Sequence, residues 1–186
     1  HASHSGEELL ELANPIKNMR VLDLCGGDGE LATKAKRLGA NTVWLVDQES
    51  EMLQNKPNIK ASVQTAQSFL RECWGNGRMF DRVLCKQAAN YILDKNTAKL
   101  IHGVLLEDGI FVFNTFHNNP DKKPMIKDYE IEGVSYLEIS WLIGDMVHHI
   151  QIREGMPCHI TEFRWLSPEY LSEILESYFK ISIKKG

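Results

Sequence analysis

Asp23 lies near the end of a short apolar run, Val21-Leu22-Asp23-Leu24, and Cys25-Gly26-Gly27-Asp28-Gly29 follows at once. A carboxylate there can draw in a cation, and glycines, lacking Cβ, let a bound molecule approach the backbone closely. A second acid, Asp47, closes the next apolar run, Val43-Trp44-Leu45-Val46, at a spacing suited to holding ribose hydroxyls. Lys86 and Gln87 end a third run, Val83-Leu84-Cys85. Candidate proton acceptors are His149 and then His159, because imidazole titrates near neutral pH, with Tyr91 as a further candidate. Alternation along a strand would send His148 and His149 to opposite faces, which argues against a two-histidine metal site, so no metal is expected.

Two cofactor chemistries would use such a loop. Gly27-x-Gly29-x-x-Ala32 satisfies the dinucleotide pattern, with Asp47 to hold a ribose. That pattern seats a pyrophosphate at a helix N-terminus, where an anion is welcome, and Asp23 would set a negative charge beside it. S-adenosylmethionine reverses the argument, since its ammonium and sulfonium want acceptors. The segment VLDLCGGDGELA resembles the first motif of class I S-adenosylmethionine-dependent methyltransferases, with Cys25 in place of the first glycine. A residue with a Cβ at that place is expected to keep an ordinary backbone conformation.

The resemblance extends along the chain and implies a residue set. Val43 to Ser50 looks like the second motif, which implies Asp47 on the ribose hydroxyls and Gln48 and Met52 beside the adenine. Thr65-Ala66-Gln67 falls where the family contacts adenine, making Ala66 and Gln67 candidates although Thr65 lacks the usual carboxylate. Phe80 to Gln87 resembles the fourth motif and implies Lys86 and Gln87 near the methionine chain. With Asp23, Cys25, Gly26, Gly27 and Gly29, these form the expected cofactor-binding set. Gly109 is expected to need a positive φ at the turn into the fifth strand. The implied activity is methyl transfer from S-adenosyl-L-methionine to oxygen, nitrogen or carbon of a small-molecule acceptor. The competing readings are a methyltransferase-like module that binds the cofactor without catalysis and, third, an NAD(P)-binding oxidoreductase.

The elements that must position these residues alternate. Strands are predicted at 20–25, 42–47, 59–63, 80–85 and 109–115, with helices at 5–13, 29–38, 50–54, 66–73 and 96–106. Ser5-Gly6-Glu7-Glu8 reads as a capping box for the first helix. Short apolar strands between helices predict an α/β, doubly wound, mainly parallel Rossmann-like sheet with helices on both faces. Ligands then lie at the strands' carboxyl ends, which adds Asn90, Asn114, Phe116 and His117 around the methyl donor.

After Phe116 the pattern changes. A polar, proline-bounded loop at 118–124 leads to alternating runs at 133–142, 146–153 and 157–165, joined by Gly144-Asp145 and Glu154-Gly155. These predict an antiparallel hairpin insert over the acceptor pocket. Val147, His149, Gln151 and Arg153 share one face of their strand; His159, Thr161, Phe163 and Trp165 share one of theirs. Ser167-Pro168-Glu169 opens a last helix, and 178–184 a last strand. The expected organisation is one domain over 1–186: a cofactor-binding core at 1–116, a loop and substrate-lid insert at 117–166, and a final helix and strand at 167–186.

Bulk properties narrow the partners. A net charge of −4 over 186 residues, both signs interspersed, offers no footprint for nucleic acid or an anionic membrane. The 4 cysteines include no Cys-x-x-Cys pair, which favours a reducing, cytoplasmic setting. No apolar stretch reaches membrane length, and no signal peptide is expected within the residues given, whose start at His1 says nothing of processing. The resemblance also implies two terminal strands where this chain has room for one, and a longer leading segment than 5–13. Two expectations correspond: the sequence is trimmed from a longer chain, or the site is open and suited to a large or carrier-bound acceptor.

Overall fold

A computed structural model describes residues 6–51, 53, 56–115 and 124–182. The chain divides into two compact units, 1–115 with 172–186, and 116–171.

In the first unit, β1 (Arg20–Leu24), β2 (Thr42–Asp47), β3 (Lys60–Val63), β4 (Phe80–Cys85) and β5 (Leu105–Phe113) form one parallel sheet in the order β3-β2-β1-β4-β5. Val21, Leu22 and Leu24 are fully buried, as a strand covered on both faces requires. Alternation along β1 sends Val21 and Asp23 to one face of the sheet. On that face Val21, Val43, Leu45, Leu84 and Val112 pack with Leu9 and Leu10 of α1 (Gly6–Leu12) and Leu31, Ala32 and Ala35 of α2 (Glu30–Arg37). On the opposite face α3 (Ala66–Asn76) sets Phe69 against Trp44 and Phe80, at ring separations of 5.3 and 6.4 Å. Thr65 caps α3 by accepting from Ser68 N–H, and Asp94 caps α5 (Lys95–Val104) by accepting from Thr97 N–H. The short α4 (Ala89–Ile92) follows β4.

The strand order reverses between β1 and β4. The chain winds outward from β1 to β3, then returns to the other side of β1, so the loops leaving β1 and β4 part in opposite directions. The crevice between them is where an open α/β sheet receives a ligand.

In the second unit, β6 (Met125–Ile131), β7 (Val134–Ile143), β8 (Met146–Arg153) and β9 (His159–Arg164) form an antiparallel sheet in chain order. The sequence predicts three of these strands. The fourth, β6, escapes notice because Lys127, Asp128 and Glu130 interrupt its apolar residues. Glu132 and Gly133, both at positive φ (51° and 78°), make the two-residue turn that pairs it with β7. Ser167 then opens α6 (Pro168–Leu175), its Oγ accepting from Tyr170 N–H at 3.1 Å.

Several expectations need correction. Ser50 and Glu51 lie in a turn closed by Leu53 N–H on Ser50 O (3.2 Å), not in a helix. The final strand is absent over 178–182. The Tyr178 and Phe179 N–H groups donate back to Leu175 O and their rings lie against His102, and among the described residues 178–182 no strand is formed. Strand β5 begins at Leu105, and Gly109 does not adopt positive φ. A Cβ there would lie 2.8 Å from Leu106 O and Leu105 Cδ2, so close packing rather than handedness asks for glycine. Ser5, Met52, Phe116, His117 and the loop at 118–123 lie outside the described residues.

Candidate active site

The loop after β1 is bent by three residues of left-handed backbone: Cys25 at φ 53°, Gly27 at 53° and Gly29 at 73°. This corrects the expectation for Cys25, which takes the glycine's conformation despite its Cβ, at a cost of about 1–2 kcal/mol. The surrounding backbone holds it there. Gly26 N–H donates to Val46 O (3.2 Å), Gly27 N–H to Asp47 Oδ2 (2.9 Å) and Gly29 N–H to Gly26 O (2.9 Å). Gly26 has a different reason to be glycine, because a Cβ would collide with the Leu45 side chain and lie 2.6 Å from Asp23 Cγ.

Asp23 is fully buried. Its Oδ2 accepts from Ala32 N–H at 3.0 Å, while Oδ1 is buried and has no hydrogen-bond partner. Burial pushes the carboxyl up to about 7, against the opposing pull of the Ala32 N–H and the Lys86 ammonium. A buried, unpaired carboxylate oxygen is costly and marks a place for a cation or donor.

Asp23 is one of the residues lining a cleft of about 200 Å³ at the strand-order reversal. The β1 loop supplies Cys25, Gly26, Gly27 and Asp28; the start of α2 supplies Glu30 and Leu31; the end of β4 supplies Lys86 and Gln87. Lys86 Nζ sits 2.7 Å from Glu30 Oε2, and Lys34 Nζ sits 2.8 Å from Glu30 Oε1. Lys34 and Lys86 together lower the Glu30 carboxyl to about 2. Gln87 has positive φ (59°), and its N–H donates to Asn114 Oδ1 at 2.6 Å, tying the ends of β4 and β5 together. The Cys25 thiol is pushed up to about 12, chiefly by burial and then by Asp47 and Asp23, so it is a neutral wall and not a nucleophile.

Asp47 adjoins this loop as a half-buried clamp. Its Oδ2 holds Gly27 N–H and its Oδ1 holds Glu49 N–H at 3.0 Å, which leaves each oxygen a lone pair for a further donor. Gln48 is exposed beside it, and Ala66 is buried at the start of α3. Gln67 turns its amide to Ile92 O (3.4 Å) and Thr97 Oγ1 (3.3 Å), bridging α3 to the segment after β4. Tyr91 is 53 % exposed on α4, and Asn90 is buried.

On the antiparallel sheet the register joins the two predicted faces into one. Val147 pairs with Phe163, His149 with Thr161 and Gln151 with His159. His149 Nδ1 lies 2.8 Å from Ser140 Oγ. His148 points the other way, 2.8 Å from Glu162 Oε1 and stacked on Trp141 at 5.4 Å. On the His149 face, Glu138 Oε1 accepts from Tyr129 O–H (2.7 Å) and from Gln151 Nε2 (3.0 Å). Among the described residues no group of three His, Cys, Asp or Glu is arranged to hold a metal ion.

Sequence reasoning missed Asp28, Glu30, Leu31, Asn114 in its clamping role, and the Tyr129–Glu138–Gln151 network. Only Glu30 carried a readable signal, the charge pairing with Lys34 one turn later.

A parallel sheet of order β3-β2-β1-β4-β5, with a glycine-bent loop after β1 and an acid ending β2, is the fold of class I S-adenosylmethionine-dependent methyltransferases. Solved structures bear this out individually. An S-adenosylmethionine-dependent methyltransferase from Clostridium acetobutylicum is 22% identical, with a TM-score of 0.70 over 92% of this chain and 77% of its own. CalS10, an amino pentose methyltransferase from Micromonospora echinaspora in a structure with S-adenosylmethionine bound, is 15% identical, with a TM-score of 0.73 over 93% and 82%. DesVI of Streptomyces venezuelae is 12% identical, with a TM-score of 0.67 over 95% and 82%. No protein-family model matches the chain, and no curated protein matches its sequence.

Proposed function

We propose that this chain is an S-adenosylmethionine-dependent methyltransferase acting on a small-molecule acceptor. One observation carries the reading: the buried Asp23 Oδ1 without a partner, on a residue that lines the cleft at the strand-order reversal of this fold. The cofactor's ammonium is the kind of group that oxygen lacks. Asp47, with a lone pair left on each oxygen, would accept from the ribose hydroxyls. Gly27 would admit the methionine portion against bare backbone, with Lys86 and Gln87 on the far wall, and Gln48 would lie towards the adenine.

Bound there, S-adenosylmethionine would supply a methyl group on a sulfonium whose leaving group is already in place. The chain's contribution is then chiefly to orient donor and acceptor and to exclude water. A base is needed only for a hydroxyl or carbon acceptor. His149 suits that role: when its Nδ1–H donates to Ser140 Oγ, Nε2 keeps the lone pair that takes a proton. His159 and Tyr91 are the further candidates. CalS10, an amino pentose methyltransferase, supports a small polar acceptor. A net charge of −4 supports neither nucleic acid nor an anionic membrane as partner, and no described helix is long and apolar enough to cross a membrane. The 4 free cysteines fit a reducing, cytoplasmic setting.

Calorimetric titration with S-adenosylhomocysteine and with NAD tests the reading. The expected result is binding of the first and not of the second; uptake of NAD alone would overturn it.

A further inference from the structure

The cleft is acidic except at one point. Asp23, Asp28 and Glu30 line it, and among its described lining residues Lys86 is the one cation. The amino-acid end of the cofactor carries a carboxylate on the same carbon as its ammonium. If the ammonium meets Asp23 Oδ1, that carboxylate arrives beside three acids and needs a positive partner. Lys86 is within electrostatic reach of Asp23, but its ammonium is held at 2.7 Å by Glu30 Oε2.

Releasing it is cheap. Glu30 keeps Lys34 at 2.8 Å on its other oxygen, so it is not left unpaired when Lys86 departs. Both partners are partly exposed, with side-chain exposures of 24% and 44%, where an ion pair contributes little. The backbone beneath need not move, because the Gln87 N–H bond to Asn114 fixes the end of β4 while the flexible lysine stem swings.

We propose that Lys86 receives the carboxylate of the cofactor's amino-acid end, and that Glu30 holds its ammonium in reserve until that carboxylate displaces it. The proposal rests on the cofactor reading above and adds an ion-pair exchange that the β4 lysine makes available. Glu30 is thereby a competitor for Lys86 and not a ligand. Its removal should strengthen cofactor binding, which a supporting residue's removal would not do.

The test titrates parent, K86M, K86R and E30Q with S-adenosylhomocysteine and with 5′-methylthioadenosine, which keeps the nucleoside and sulfur but lacks the amino-acid end. K86M should weaken S-adenosylhomocysteine at least about tenfold, the loss of a charge-assisted hydrogen bond, and leave methylthioadenosine within about twofold. K86R, which keeps the charge, should retain most of the affinity. E30Q should bind S-adenosylhomocysteine about two- to fivefold more tightly, the scale of an exposed ion pair, with methylthioadenosine unchanged. Equal losses for both ligands in K86M, no loss for either, or weaker S-adenosylhomocysteine binding in E30Q would each overturn the exchange while leaving the cofactor reading standing. A parent that binds neither ligand would overturn both.

Discussion

Replacing Asp23 by asparagine tests whether this site sacrifices stability for binding. The folded protein holds the carboxyl at about 7 against an ordinary value of 3.8, principally through burial. Between those values the folded state binds the extra proton, so Asp23's contribution is fully favourable below about pH 4 and is lost as pH rises through 7. At 1.36 kcal/mol per pH unit, a rise from 3.8 to about 7 corresponds to roughly 4 kcal/mol by pH 8. The amide of D23N would still accept from Ala32 N–H through its carbonyl, but its NH2 would face the space where Oδ1 has no partner, at a constant cost of about 1–3 kcal/mol. The diagnostic quantity is therefore the slope. Urea unfolding of parent and D23N at intervals from pH 4 to 8.5 should show the difference moving in the variant's favour by a few kcal/mol across that range. Glu30, held near 2, titrates below the window and cancels in the difference. S-adenosylhomocysteine should reverse the ranking if, as proposed, its ammonium pairs with the ionised carboxylate, because a neutral amide with its NH2 at that place is the poorer partner. A stability difference that stays constant from pH 4 to 8.5 would refute the reasoning.

Three further predictions concern the loop and its clamp. D47A should weaken S-adenosylhomocysteine by more than about 1 kcal/mol, because it removes acceptors and also releases Gly27 N–H, and calorimetry reads it directly. C25G should be neutral or stabilising by up to about 1 kcal/mol, the relief of left-handed strain less the entropy glycine adds to the unfolded chain; thermal melting decides, and a large loss would mean the thiol's packing dominates. G26A should destabilise by about 1–3 kcal/mol in urea unfolding, since its Cβ would meet Asp23 and Leu45 and neither can withdraw from a close-packed wall.

Much of this protein was legible along the chain. Short-range physics determined the strands 42–47 and 80–85, which match the observed bounds, and the alternation that parts His148 from His149. It also singled out Asp23 and the glycines as the candidate ligand loop proposed above, because strand-end acids and absent Cβ atoms are local properties. Strand β6 was hidden by its charged residues, and the expected final strand failed because a strand is defined by a neighbour and not by composition. Only the tertiary structure decided what depends on two distant segments meeting. Asp47 becomes a clamp on Gly27 when β2 lies beside β1, and Gln67 becomes a bridge to Thr97 when α3 lies against α5. Lys86 meets Glu30 because β4 returns next to β1, and Asp23 keeps an oxygen unpaired because Ala32 N–H satisfies only the other. Backbone preference and hydrophobic period act over a few residues, whereas charge pairing and burial act through space. The sequence therefore names part of the proposed ligand-handling set, and the fold sets its electrostatic state.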